Sequence, residues 1–302
     1  MLNIQHIPYQ QINKKQWDAC ISSAGNGLIY GYSFYLDAMS KQWDGLVMGD
    51  YEAVMPITFN SKYGISYLYQ PSFAASLGVF GNGLSADIIN SFLQSIPKKF
   101  RYWDIYLNHG NFFTLKDFNL YERKNYVLPL NADYAEIYSR YRDNIKRNIK
   151  KCVQLNAVAK KNIPIEEVVT LSKKQTFSSY TETDFANFIS LYKILSGKGE
   201  ACNYGIYSSN GKLMASAAFF FSNKRAYYIL VGNDPDGKTM GASHALIDAF
   251  IKDHAGNNLL LDFEGSDVPS LAFFYSSFGS VEEKYPGLRV NHLPFWARWM
   301  KK

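Results

Sequence analysis

The stretch Asn233–His254, NDPDGKTMGASHALIDAFIKDH, reads as a tight turn that runs into an amphipathic helix, and it follows AYYILVG, which reads as a strand. A helix amino terminus carries unpaired N–H groups and a partial positive charge, so phosphates bind there readily. For the backbone to approach a pyrophosphate, the turn must lack bulky side chains, and Gly241, Ala242 and Ser243 meet that condition. Lys238, just ahead, adds a point charge, and charge-assisted hydrogen bonds of this kind are worth about 1.5 to 3 kcal/mol each.

Working outward, the stretch belongs to a longer series that occurs twice. Near residue 50, GDYEAVMPITFNSKYGISYLYQP is two apolar strands around a short polar turn, and GKLMASAAFFFSNKRAYYILVGNDP repeats that layout near residue 211. Each hairpin is followed by a loop, a helix (SADIINSFLQSI; ASHALIDAFIKDH) and a buried strand (YWDIYLN; NNLLLDFEG). The two series lie about 160 residues apart, a period suited to duplicated domains rather than to a solenoid. The expected fold is therefore α+β, two tandem domains, each a mixed and mostly antiparallel sheet flanked by helices. The expected division is 1–130 and 131–289, with 290–302 returning to the first domain. Pro129 and Asn131 end a strand in LPLNADYAEI, and Asp133 is placed to cap the helix that follows.

At 302 residues, two domains are the natural number, and 47% hydrophobic with 19% charged residues is globular usage. The amino terminus lacks the apolar run of a signal peptide and no window approaches a membrane span, so a cytoplasmic protein is expected. Cys20, Cys152 and Cys202 are odd in number and lack CxxC spacing, which argues for buried thiols rather than disulfides or zinc ligands. His6, His109, His244, His254 and His292 show no metal spacing, and no metal is expected.

The net charge of +6 matters for its placement. RYRDNIKRNIKK, Arg140 to Lys151, concentrates Arg and Lys, while Tyr134, Ile137, Tyr141, Ile145 and Ile149 recur at spacings of three and four. The pattern is a helix packed on one side and basic on the other. Such a face is either simply solvated or a surface for a polyanion, with Arg140, Lys146 and Arg147 as the candidate contacts.

The run Pro235, Lys238, Gly241, Ser243 resembles the pyrophosphate loop of the GNAT acetyltransferase superfamily, P-x-x-[RQ]-x-x-G-x-[GA]. SLAFFYSSFGS is similar to that superfamily's A-x-x-F-Y-x-x-x-G-F element, with Ala272, Tyr275 and Phe278 at matching or nearly matching places. With the layout repeated twice and a basic helix opening the second half, the chain resembles the FemAB-type branch, whose members carry tandem GNAT-like domains. Lys238 and Ser243 depart from the loop pattern. Tyr275 stands where FemAB peptidoglycan ligases carry a lysine, which is more like a CoA-dependent GNAT enzyme. The matching loop of the first half, QPSFAASLGVF, has Pro71 and Gly78 but no basic residue, so that half reads as a domain kept for shape.

The resemblance implies acyl transfer from acyl-CoA or acetyl-CoA to an amine. On that footing Gly241, Ala242, Ser243 and Lys238 hold the CoA phosphates, and the strand splays near Leu230, Val231 and Gly232 to present amides to the pantetheine arm and thioester oxygen. Tyr275 protonates the thiolate. The residues alone leave Tyr275 equally a core aromatic beside Phe273 and Phe274. Glu264, at the carboxyl end of LLLDFE, is the candidate base, with Asp262 two residues before it on the same face; either carboxylate is also placed to cap the helix beginning near Pro269. Implied acceptors are a small-molecule or peptide amine, including a nucleotide-linked or lipid-linked cell-wall precursor. A tRNA-borne aminoacyl donor and a noncatalytic binding module are the alternatives. HLPFWARWMKK reads as a segment docking on the first domain or lying on a membrane surface.

Overall fold

The computed structural model describes residues 3–174, 180–265 and 267–294, and the chain divides into one unit of Met1–Arg123 with Lys284–Lys302 and a second of Lys124–Glu283. In chain order the first unit contains β1 (Ile4–Ile7), α1 (Lys14–Ser23), α2 (Ser33–Met39), β2 (Trp43–Met48), β3 (Ala53–Lys62), β4 (Ile65–Tyr69), β5 (Phe80–Gly81), α3 (Ala86–Gln94) and β6 (Phe100–Tyr106). The strand β7 (Leu120–Pro129) leads into the second unit, with α4 (Tyr134–Ser139), α5 (Asp143–Gln154), β8 (Val158–Lys161), α6 (Ile165–Lys173), α7 (Glu182–Gly197), β9 (Ala201–Tyr207), β10 (Leu213–Ser222) and β11 (Arg225–Asn233). Then come α8 (Pro235–Met240), α9 (Ala242–His254), β12 (Leu260–Asp262) and α10 (Pro269–Ser276), and β13 (Val281–Asn291) returns to the first unit.

The strand order within each unit follows one plan. The first runs β1-β2-β3-β4-β6-β13, with β5 also on β3; the second runs β8-β9-β10-β11-β12-β7. Every neighbouring pair is antiparallel except one in each unit, β4 with β6 and β11 with β12. The parallel pair is the one spanned by a helix, as a parallel connection requires. The duplicated hairpin, helix and strand read from the sequence are these elements. The division falls before residue 130 because Val127, Leu128 and Pro129 pair with β12, while Gly287–Asn291 pair with β6.

Each sheet buries its own core. In the first unit Ile89, Phe92 and Leu93 of α3 pack with Leu46, Met55, Ile57, Phe100 and Ile105. In the second, Leu246, Ile247, Phe250 and Ile251 of α9 face Ala217, Phe219, Tyr204 and Tyr228, with Phe219 and Phe250 stacked at 3.9 Å between centroids. Truncating a ring this enclosed costs about 3 to 5 kcal/mol. Leu293 packs on Tyr102 in the first unit, and residues 295–302, which carry the aromatic and basic terminal segment, lie outside the described residues. Cys20, Cys152 and Cys202 are buried and free.

Two local expectations are corrected. The basic helix is not continuous from Tyr134 to Lys151: Asp133 caps α4, as its carboxylate accepts from Glu136 N at 2.8 Å, but the chain breaks at Arg140–Arg142 before α5 begins. The break arises because Arg142 N donates to Ser277 O at 3.0 Å, with Arg142 extended at ψ 154°. The supposed tight turn after Asn233 is the helix α8, started by Asp234 at its cap and Pro235 in its first turn.

Asparagine side chains saturate the first unit's counterpart loop. Asn111 accepts from Val79 N at 2.7 Å and donates to Val79 O at 2.8 Å; Asn108 donates to Leu77 O at 2.9 Å, and Asn26 donates to Val79 O at 2.9 Å and accepts from Gly81 N at 3.2 Å. Gly78 has φ +88°, and a Cβ there would lie 2.4 Å from Asn111 Oδ1.

Candidate active site

The parallel pair of the second unit opens. β11 and β12 stay in register from Arg225–Leu260 to Tyr227–Asp262, where β12 ends, while β11 continues beside β10 as far as Asn233. A bulge leaves Ile229 without a Cα partner between Tyr228 and Leu230, which bends the strand there. From Tyr228 onward, one edge of β11 has no strand partner among the described residues. Leu230, Val231 and Gly232 lie on this length. Leu230 and Gly232 are buried and Val231 half-buried. Gly232 also lets the end of α6 lie directly on the strand, since a Cβ there would sit 2.7 Å from Ser172 N.

Three rings meet where the strands part. Tyr275 of α10 stacks on Phe263 at 4.6 Å and 19°, and meets Tyr228 edge-on at 6.4 Å. Phe263 and Tyr228 are the first residues past the last registered pair. The Tyr275 ring is buried at 8% exposure, so it is a core aromatic; its hydroxyl has no hydrogen-bond partner among the described residues. Burial, and then the Glu264 charge, push its pKa up to about 12, so the phenol keeps its proton throughout the neutral range.

The two carboxylates after β12 differ. Asp262 is buried and fully engaged: Oδ2 accepts from Arg225 Nη1 at 2.9 Å, and Oδ1 from Asn125 Nδ2 at 2.8 Å and from Glu264 N at 2.9 Å. Arg225 also grips Glu283 through both terminal nitrogens, at 2.9 and 2.7 Å. Glu264 is half-buried with φ +60°, the left-handed region. The cap residue of α10 is Val268, which makes no side-chain cap bond, and the Asp262 oxygens are committed to Arg225, Asn125 and Glu264 N.

At the start of α9, Gly241 has φ +81° and ends α8 as it begins α9. A Cβ on Gly241 would lie 2.7 Å from Asn148 O, so the small residue here admits α5. Ala242 is buried, and the Ser243 hydroxyl donates to Asn233 Oδ1. The N–H groups of Ala242 and Ser243 meet no acceptor among the described residues, whereas His244 N is bonded to Gly241 O at 3.1 Å. Lys238 is exposed in the last turn of α8 and makes no ion pair among the described residues. His244 lies edge-on to Phe274 at 5.0 Å, and burial lowers its pKa to about 4, so it is neutral.

The three basic candidates are not equivalent. Arg140 pairs with Glu136, and Lys146 donates to Ser139 O at 3.3 Å beside the Tyr138 ring. Arg147 is exposed without an ion pair among the described residues, as is Lys150. Lys151 donates to Thr239 O at 2.8 Å, tying α5 to the end of α8. The structure therefore sets Glu264 within electrostatic reach of Tyr275 near the parted strands and sets Arg147 on the helix that covers Gly241. Sequence reasoning missed Arg225, Asn125 and Glu283. A charged residue opening the apolar run RAYYILVG was the available signal for Arg225.

This architecture is shared with solved structures over nearly the whole chain. The chain superposes on FemX with a TM-score of 0.64 at 12% identity, covering 98% of this chain and 99% of that one. It is similar also to L-PGS from Bacillus licheniformis (TM-score 0.55, 12% identity, 96% and 95% covered). The C-terminal domain of a putative lysylphosphatidylglycerol synthetase from Agrobacterium fabrum gives a TM-score of 0.56 at 8% identity, with 95% and 94% covered. No family profile matches the sequence, and no curated protein matches it.

Proposed function

We propose that the protein transfers an acyl group to an amine, with the reacting carbonyl held where β11 and β12 part. The observation that carries this reading is the meeting of an open strand edge, a phenol without a hydrogen-bond partner among the described residues and a half-buried carboxylate at one point. In this reading, backbone N–H groups of Leu230 to Gly232 polarise the carbonyl. Glu264 takes the ammonium proton, and the freed amine attacks, forming the C–N bond. The bond to the leaving thiolate then breaks, and Tyr275 gives it a proton. A phenol at about 12 is a weak acid for a thiol. Part of that upward push is the Glu264 charge, and it vanishes once Glu264 has taken the amine's proton. Each proton gain by Glu264 thus strengthens Tyr275 as an acid, and transfer between them resets the site.

The proposed donor is acyl-CoA or acetyl-CoA, a cytoplasmic metabolite, with its phosphates at the amides of Ala242 and Ser243 and at Lys238. The acceptor is a small-molecule or peptide amine. The names of FemX and lysylphosphatidylglycerol synthetase favour a cell-wall or lipid-linked one. Among the described residues, no helix is long and apolar enough to cross a membrane, and no cluster of His, Cys, Asp or Glu is placed to hold a metal.

A second donor, aminoacyl-tRNA, is favoured by one observation: α5 lies against Gly241 and carries Arg147 and Lys150 without ion-pair partners among the described residues. Calorimetric titration separates the two. CoA binding weakened tenfold or more by Lys238→Glu supports the CoA donor. Indifference to CoA, together with tRNA binding that falls steeply with salt and is lost in Arg147→Glu, replaces it with the tRNA donor.

A further inference from the structure

We propose that Asp262 is a positioning residue, fixed by Arg225, Glu283 and Asn125, that holds Glu264 in its left-handed conformation and so keeps the Glu264 carboxylate beside Tyr275. The inference rests on the reading of Glu264 and Tyr275 as the reacting pair. Glutamate has no intrinsic preference for φ +60°, where the side chain crowds the backbone, so the conformation must be imposed. A contact that favours it is Asp262 Oδ1 accepting the Glu264 N–H at 2.9 Å, a carboxylate closing a turn two residues on.

Asp262 itself has no freedom to turn away. Its two oxygens accept from Arg225 Nη1, Asn125 Nδ2 and Glu264 N, so most of its acceptor sites are taken. Arg225 is clamped in turn by the fork it makes with Glu283, and Asn125 donates weakly to Glu283 at 3.4 Å as well as to Asp262. Residues of β7, β11 and β13 thus converge on the end of β12. One buried guanidinium faces two carboxylates, and buried ion pairs of this kind add little to stability compared with an apolar replacement; what they supply is a fixed geometry. The same bonds remove Asp262 from candidacy as the base, because its lone pairs are committed within the protein.

The outcome of that geometry is a carboxylate charge acting on Tyr275, whose ring is enclosed by Phe263, Tyr228, Tyr126 and Phe274. Tyr180 is the other phenol that the Glu264 charge raises, again after burial.

The test places a difluorotyrosine, whose phenol ionises in the neutral range, at position 275 in the full chain and follows its fluorine signal with pH. Glu264→Gln should lower the midpoint by removing the charge, and Asp262→Ala should lower it by a similar amount by releasing the turn. A midpoint unmoved by Asp262→Ala but lowered by Glu264→Gln overturns the proposal, as does one unmoved by Glu264→Gln. If Asp262→Ala does not fold, amide exchange in the wild-type chain decides: slow exchange at Glu264 N–H supports the contact, and exchange at the rate of an open loop overturns it. None of these readouts needs an acyl donor. Failure of both CoA and tRNA to bind in titration, alongside the expected midpoint response, therefore defeats the proposed function and leaves the positioning role standing.

Discussion

The two loops that follow the duplicated hairpins hold their backbones in opposite ways. In the first unit, Asn26, Asn108 and Asn111 satisfy the N–H and C=O groups around Leu77, Val79 and Gly81, and Asn108 and Asn111 are fully buried. In the second, a short helix and a close approach of Gly241 to Asn148 set the path, leaving the Ala242 and Ser243 amides without an acceptor among the described residues. Buried backbone polar groups are nearly always paired, so a loop that pairs its own has nothing to offer a ligand. Topology alone, then, does not make a binding loop; the difference lies in which hydrogen bonds the protein completes for itself.

The largest expected contrast is chemical. Tyr275→Phe should lower turnover by about 10² to 10⁴ while the melting temperature stays near that of the wild type, because only a hydroxyl without a hydrogen-bond partner is removed. A turnover change below threefold, once an acceptor is known, would return Tyr275 to the core alone. In the first unit the matching assault is structural. Asn111→Ala strands the N–H of Val79, whose C=O keeps Asn26 and Asn108 as donors, and urea unfolding should show a loss of about 1 to 3 kcal/mol.

The glycines sharpen the comparison. Gly78→Ala and Gly241→Ala each force a side chain into the left-handed region, costing about 1 to 2 kcal/mol before any contact is counted. Gly78→Ala should be the worse, since its Cβ meets Asn111 at 2.4 Å against 2.7 Å for Gly241 and Asn148. Equal losses would mean that Asn111 moves aside freely.

Acid should act on the second loop through His244. Burial lowers its folded pKa to about 4, below the unfolded value near 6.5, so its contribution is complete above pH 6.5 and is lost as the pH falls through 4. The contribution is on the order of 3 kcal/mol, and His244→Leu should flatten that limb of the stability profile measured between pH 7 and 4. The smallest effect belongs to Lys238→Ala, which should change stability by less than about 0.5 kcal/mol in the same assay, because the side chain is exposed and unpaired among the described residues.

Much of the fold was legible because hairpins, α3, α9 and the strands after them are local patterns. Alternation and helical spacing identify an element without knowing its partner. The partners were not legible: β7 looks like the end of the first half, yet Leu128 pairs with Leu261, and the return of Leu288 to Ile105 spans most of the chain. The break before α5 was hidden for the same reason, since the bond that ends the helix comes from Ser277. The helix α8, by contrast, announced itself through Asp234 and Pro235, and Gly237 and Gly241 obscured it. Of the candidate site, Tyr275 and Glu264 could be placed by type and position, whereas Arg225 and Glu283 are 58 residues apart and meet only in the folded sheet.

The buried cysteines give each unit its own gauge of opening. Burial pushes the Cys20 thiol up to about 11 in the first unit and Cys202 up to about 12 in the second, and Cys152 also rises. Native protein should therefore resist alkylation, and each thiol should react only when its surroundings loosen. Mass spectrometry of trapped protein would then time the breathing of one half against the other without any introduced label.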